Sequence, residues 1–301
     1  MTNHETRGHV SVLLHEAIDG LRLKAGDVFL DATLGNAGHT LGVWKRSGDE
    51  VAYVGLDADP ERVAYARKRL AEAGCRAKVF CENFGNLDRA LVEAGISKST
   101  AILFDLGLNS EQLESSNRGF SFLKDEPLLM TFGEVKTGML TAQEIVNHYD
   151  EESLEKIFRE YGEERQAHNI ARTIVHERKH KHIGTTFELI GAIQKGYRGK
   201  YPKSIHFATR TFQALRIAVN DELGALTEAL AKGFDSLSEH GRMAVISFHS
   251  LEDRIVKRFF RNQADAGAGI LVTKKPIVPG DKECGENPRA RSAKLRILEK
   301  M

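Results

Sequence analysis

The chain has no apolar run approaching the roughly 18 residues needed to cross a bilayer, so no membrane partner is expected. Its first residues, Met1 to His9, are polar and lack the apolar centre of an export signal, which makes a cytoplasmic location the expectation. Cysteine is scarce. Cys75, Cys81 and Cys284 are odd in number and never spaced as CxxC, which argues against a disulfide framework and against a cysteine-rich zinc site. There is no internal repeat and no low-complexity segment, so solenoids and disordered tails are set aside. The strict GxGxxG of dinucleotide enzymes is missing as well. With 41% apolar and 28% charged residues over 301 positions, the remaining class is a soluble globular protein large enough for two domains.

The stretch Asp31-Ala32-Thr33-Leu34-Gly35-Asn36-Ala37-Gly38-His39 organises the N-terminal half. It follows the apolar run Val28-Phe29-Leu30 and leads into Thr40-Leu41-Gly42-Val43-Trp44, which has helical apolar spacing. Small residues let a ligand approach the backbone, and the helix start offers free N–H groups. A second apolar strand, Val51 to Leu56, ends in Asp57, where a carboxylate can hold a ribose hydroxyl pair. This is half of a Rossmann-type site. The same pattern serves nicotinamide, flavin and S-adenosylmethionine enzymes, and a plain glycine turn is the bland alternative.

Downstream, Asp59 can cap a helix that begins at Pro60 and presents Val63, Ala66 and Leu70 on one face. A third strand, Ala77 to Cys81, leads to Phe84, whose ring either lies against a flat base or simply joins the core. The fourth, Thr100 to Gly107, is continuously apolar and delivers Asp105 at its carboxyl end. Strands alternating with helices predict an α/β fold with a mostly parallel sheet. From Gln112 to about His206 only helical signals are seen, at 141–148, 151–161, 163–178 and 185–195, with Asp150 and Thr185 as caps. The expected organisation is therefore a sheet domain of residues 1–112 and 207–301 with a helical domain, 113–206, inserted in it. A single long helix is predicted from about Ala208 to Leu230, then a strand over 241–249, a helix over 251–260, and strands at 270–273 and 293–298.

Net charge is only +1, yet residues 163 to 216 hold eleven Lys or Arg against four acids. Such a basic third points either to a polyanion or to a solvated helical face. Tyr197 and Tyr201 interleave with Lys195, Arg198, Lys200 and Lys203, a combination suited to unpaired RNA. Two patterns are decoys. His176-Glu177-Arg178-Lys179-His180 satisfies the zinc-helix spacing, but its cations oppose a dication, so a basic helix is preferred and no metal is expected. Ser247, His249 and Asp253 contain the letters of a hydrolase triad but crowd one strand end, where substrate or backbone positioning is the simpler role.

At Arg118-Gly119-Phe120-Ser121-Phe122, at Phe212 to Asn220, at Ile246 to Lys257 and at Asn287 to Arg296 the chain resembles the bacterial ribosomal RNA small-subunit methyltransferase H (MraW) family. The resemblance runs from about His9 to the C-terminus. It implies a class I methyltransferase, Rossmann-like sheet with an inserted helical substrate-binding domain, and methylation of the exocyclic N4 of a cytosine in the decoding centre of 16S ribosomal RNA. The partner is then 16S RNA or the small ribosomal subunit, and the cofactor S-adenosylmethionine, a sulfonium that requires no metal. Carried over, the cofactor contacts are Ala37, Gly38, His39, Asp57, Phe84, Asp105 and Gln112. Asp105 and Asn109 are the candidate catalytic pair, and Arg118, Arg210, Arg216, Asn220, Ser247 and His249 the candidate substrate contacts. The chain departs from the family pattern at Ala37, where a glycine is usual, at Leu108-Asn109-Ser110, and at Pro127 to Gly133, where two carboxylates and an arginine are missing. A catalytically altered methyltransferase-fold protein that binds RNA or assists ribosome assembly is the alternative.

Overall fold

The computed structural model of the chain describes residues 11–107, 117–133, 135, 137–202 and 205–301. They form two compact units, one from the described residues of 1–107 and 223–301, the other from those of 108–222.

The first unit is built on a sheet of β1 (Val28–Asp31), β2 (Ala52–Asp57), β3 (Ala77–Cys81), β4 (Ser99–Asp105), β5 (Leu237–Ser247), β6 (Gly269–Leu271) and β7 (Lys294–Lys300). Their order is β3-β2-β1-β4-β5-β7-β6; the first five run parallel and β7 is antiparallel to both neighbours. The central strands β1, β2 and β4 are almost continuously apolar because both faces are covered. Phe29, Tyr53, Leu103 and Ile246 bury one face beneath α1 (Leu14–Leu21), α2 (Gly38–Ser47) and α3 (Pro60–Glu72). Leu30, Val54, Phe104 and Val245 bury the other beneath α4 (Leu87–Glu93), α10 (Glu222–Ser236) and α11 (Ser250–Asp265). The chain leaves β1 towards one edge through β2 and β3, then returns to β4 on the other side of β1. That reversal opens a crevice at the carboxyl ends of β1 and β4, the usual ligand position in such sheets. Asp59 caps α3 through the Glu61 amide, with Pro60 in the first turn and Val63, Ala66 and Leu70 buried, as the spacing predicts.

In the second unit, α5 (Ala142–His148), α6 (Glu151–Gly162), α7 (Ala167–Glu177), α8 (Thr186–Gly196) and α9 (Thr209–Asn220) surround an apolar core that includes Ile145, Phe158, Ile170, Leu189 and Leu215. Thr141, Asp150 and Thr185 cap α5, α6 and α8, the last in a full capping box with Glu188. The segment from Arg118 to Phe132 is sewn on by backbone bonds: Leu128 N–H to Gly184 O at 3.0 Å, Thr186 N–H to Glu126 O at 3.0 Å, and Met130 N–H to Arg118 O at 2.7 Å.

The largest difference from the expected layout is at one helix. The helix predicted over 208–230 is two helices, because Asp221 takes a left-handed φ of 46° between α9 and α10. Short polar side chains tolerate that conformation. The break is also the frontier between the units: Phe212, Ala214 and Leu215 of α9 lie in the helical core, whereas Leu226 and Leu230 of α10 lie under the sheet. The helical unit therefore ends at Glu222 rather than at residue 206.

Candidate cofactor-binding site

Asp31 pairs in register with Gly55 on one side and Leu103 on the other. Asp57 and Asp105 stand two residues beyond those partners, so the period of two turns all three carboxylates to the same sheet face. The loop after β1 connects them. Gly35 donates its N–H to Asp57 Oδ2 at 2.8 Å, Thr40 donates its hydroxyl to Asp31 Oδ2 at 2.7 Å, and His39 Nδ1 lies 3.6 Å from Asp105 Oδ2. Thr33 adds a further tie by accepting the Asp105 N–H at 2.6 Å. Gly35, at φ 49°, and Ala37, at φ 59°, both adopt the left-handed conformation that reverses the chain into α2. Ala37 carries a side chain where that conformation favours glycine, and its buried methyl joins the core. Gly38 has no such latitude: a Cβ there would lie 2.0 Å from Ser11 Oγ.

The electrostatics are those of a buried cluster of acids. Burial pushes Asp31 up to about 6 against the hydrogen bonds from Thr40 and Thr33, with Asp57 adding repulsion. Burial likewise pushes Asp57 up to about 6, although it accepts from the amides of Asp59 and Gly35. Asp105 is raised well above its ordinary value, by burial first and then by Asp31 and Glu252. Its Oδ1 is buried with no hydrogen-bond partner among the described residues. An acid cluster that is costly to ionise alone suits a cationic ligand. S-adenosylmethionine, with its sulfonium and ammonium groups, fits that demand, and the first turn of α2 fits its carboxylate. The His39 ring is oriented as well. Its Nε2 faces Val12 O at 3.1 Å and must carry a proton to bond there, so Nδ1 is the nitrogen turned towards Asp105.

Phe84 follows β3 in a short 3₁₀ turn whose start Asn83 caps. Its half-buried ring meets Phe104 edge-on at 6.2 Å, combining the core role with a partly accessible face. Asn109 and Gln112 lie outside the described residues. Sequence reasoning missed Asp31, Thr33, Thr40 and Glu252. Asp31 could have been found by the rule that found the other two acids, an apolar strand ending in a carboxylate.

The candidate substrate residues are engaged as follows. In the helical unit, Arg118 donates to Phe132 O at 2.5 Å and Thr131 O at 3.2 Å. Asn220 holds the same segment, donating to Met130 O at 2.7 Å and accepting from Phe132 N at 3.0 Å. Arg216 gives a two-pronged bond to Glu222 at 2.7 and 2.9 Å, and Arg210 donates to Glu163 O at 3.1 Å. Each of these contacts braces the unit. In the sheet unit, Ser247 donates to Lys294 O at 3.4 Å, and His249 caps α11 by accepting the Glu252 amide. Asp253 belongs to no triad: burial pushes its carboxyl up, but bonds from Arg296 at 2.7 Å and Lys294 at 3.1 Å pull it below its ordinary value. Glu177, between the paired histidines of the zinc-like spacing, bonds Lys195, and among the described residues no group of three metal-ligating side chains comes together. No helix among the described residues is long and apolar enough to cross a membrane.

Comparison with known proteins adds a family. A model of the MraW methylase family matches residues 6–301. The chain is 41% identical over 313 residues to the ribosomal RNA small subunit methyltransferase H of Clostridioides difficile (strain 630), covering 97% of this chain and 99% of that one. It is 43% identical over 312 residues to the protein of the same name from Geobacter sulfurreducens, covering 98% and 100%. Among solved structures, an rRNA methylase from Streptococcus thermophilus aligns with 97% of this chain and 99% of its own at a TM-score of 0.46 and 13% identity.

Proposed function

The chain belongs to the MraW methylase family, and from that premise we propose that it methylates the N4 amino group of a cytosine in the decoding centre of 16S ribosomal RNA, with S-adenosylmethionine as donor. The observation that supports this reading is the loop that meets Asp57 through Gly35 and faces Asp105 through His39, so that one loop touches both acids. When bound, the donor supplies a methyl group on a positively charged sulfur. Asp57 would take the ribose hydroxyls, Gly38 and His39 at the start of α2 the donor's carboxylate, and Phe84 the adenine. Asp31 and Asp105 would balance the positive groups.

A ring-conjugated amine is a poor nucleophile, so the protein must orient it and accept its hydrogen bond as charge develops. Asp105 Oδ1, with no hydrogen-bond partner among the described residues, is the proposed acceptor, with Asn109 as the candidate second group. The proton can leave after methyl transfer, so a strong base is not required. The basic stretch from Glu163 to Arg216 would hold the RNA phosphates, and the target base would leave its stack to react.

The test is transfer of labelled methyl to small-subunit RNA by wild type and Asp105→Ala, followed by mass mapping of the product. N4-methylcytosine from wild type and none from the variant is expected. Label on another base, or full activity in the variant, would sink the assignment.

A further inference from the structure

The basic helical unit carries a row of aromatic rings that its core does not fully cover. Phe122 and His206 stack at 4.5 Å and 11°. His206 lies 4.3 Å from Phe207, Phe207 stacks on Tyr201 at 4.8 Å and 29°, and Tyr201 meets Tyr197 at 5.1 Å. At its inner end Phe122 stands edge-on to Phe212, a buried core residue, at 5.8 Å. The row is thus rooted in the core and open at the rim. His206 is exposed and Tyr201 is 44% exposed, although each already has two rings against it.

Charge around the row differs from charge elsewhere in the unit. Lys181 is paired with Glu188, Lys195 with Glu177, and Arg178 is spent on the Val146 and Tyr149 carbonyls. Arg165, Arg198 and Lys200 are exposed and have no ion-pair partner among the described residues. Tyr197 links the two features: burial raises its hydroxyl, Glu164 adds to this, and Arg210 and Arg165 are near enough to oppose it.

Exposed flat rings beside unspent guanidinium groups fit one partner chemistry well. Bases splayed out of a single strand can stack on the rings while the cations meet the phosphates. A duplex cannot, because its bases are already stacked on one another. We propose that the ladder from Phe122 to Tyr197 is a stacking platform for unpaired bases of the RNA, with Arg165, Arg198 and Lys200 on the adjoining phosphates. This rests on the reading of the chain as an RNA methyltransferase.

The experiment uses the full chain and a short fluorescent oligoadenylate that contains no cytosine, with binding followed by anisotropy at fixed salt. Tyr201→Phe keeps the ring and should bind as wild type. Tyr201→Leu should bind roughly five- to a hundredfold more weakly, the range expected for one lost base stack. It should also raise the KM for small-subunit RNA, while its thermal unfolding matches that of Tyr201→Phe. A duplex of the same length should compete poorly. Equal affinity for the Leu and Phe variants, or equal competition by duplex, overturns the platform. If wild type methylates small-subunit RNA but ignores oligoadenylate, the platform falls and the enzymatic reading stands. If oligoadenylate binding depends on the Tyr201 ring but no methylation is found, the platform stands and the reaction assignment falls. Loss of binding to assembled subunits with none to protein-free RNA would mean that the ladder faces a protein, which also overturns it.

Discussion

His39 and Asp105 face each other at the carboxyl end of the sheet, Nδ1 to Oδ2, at 3.6 Å. The imidazole is held from behind by Val12 O, and the carboxyl is forced towards its protonated form by burial and by Asp31 and Glu252. Substituting the acid should therefore separate function from stability. Asp105→Asn keeps the shape and removes a charge that the unliganded fold holds at a cost. Its melting temperature is expected to be no lower than wild type, while donor binding weakens and methyl transfer is lost. A variant that melts well below wild type would show that the ionised acid is structural.

The raised acids set a pH dependence. Asp31 and Asp57 are both lifted from 3.8 to about 6, chiefly by burial. A raised folded-state value means that protonation stabilises the unliganded chain; this contribution is full below about pH 4 and lost as pH rises through about 6. Donor binding needs the ionised forms and should strengthen through the same window, by as much as about tenfold per group per pH unit below 6. Titration calorimetry across that range checks this. An affinity indifferent to pH would remove these carboxylates from the donor site.

Gly38 should not accept a side chain. A Cβ would lie 2.0 Å from Ser11 Oγ and 3.4 Å from its Cβ, so Gly38→Ala must rotate Ser11 or shift the loop. Weaker donor binding is expected, with at least partial recovery in the Gly38→Ala, Ser11→Gly double variant. Failure of the second change to recover any affinity would place the obstruction elsewhere.

Arg216 is expected to behave as a structural residue. Its guanidinium and the Glu222 carboxylate are both largely buried and doubly bonded. Arg216→Ala removes both of these buried charge-assisted bonds and should destabilise the chain by roughly 3 kcal/mol, whereas replacing both residues by apolar ones should recover much of that loss. Chemical denaturation of the single and double variants measures it. A single variant as stable as wild type but defective in RNA binding would return Arg216 to the substrate surface.

Removing the zinc-like histidines should leave transfer intact. Glu177, the general base of such a site, is bonded to Lys195 and held below its ordinary value chiefly by that bond, and among the described residues no third metal-ligating side chain joins the histidines. The His176→Ala, His180→Ala variant, and wild type treated with chelator, should both transfer methyl as the untreated enzyme does. Activity lost on chelation and restored by zinc would reverse this.

Much of the sheet unit was legible because its signals are local. Apolar runs ending in Asp57 and Asp105 specify strands that each deliver a carboxylate at the carboxyl end, and Asp59 followed by Pro60 specifies a helix start. The break at Asp221 was not legible, since apolar spacing continues through 208–230 and does not say which core each half will enter. Arg118, Arg216 and Asn220 likewise read as free polar groups along the chain, and only folding reveals that their partners are Phe132, Glu222 and Met130.

The sequence by itself determined the class of fold, the cap of each of several helices, the acids at the strand ends and the family, because each of these is written in neighbouring residues or in their periodicity. Tertiary structure alone decided that Asp31 shares the face of Asp57 and Asp105, that His39 turns Nδ1 to Asp105, and that Phe122 joins a ladder begun by Tyr197. These depend on strand register, ring orientation and contacts between residues far apart in the chain, quantities fixed by the packing of the whole.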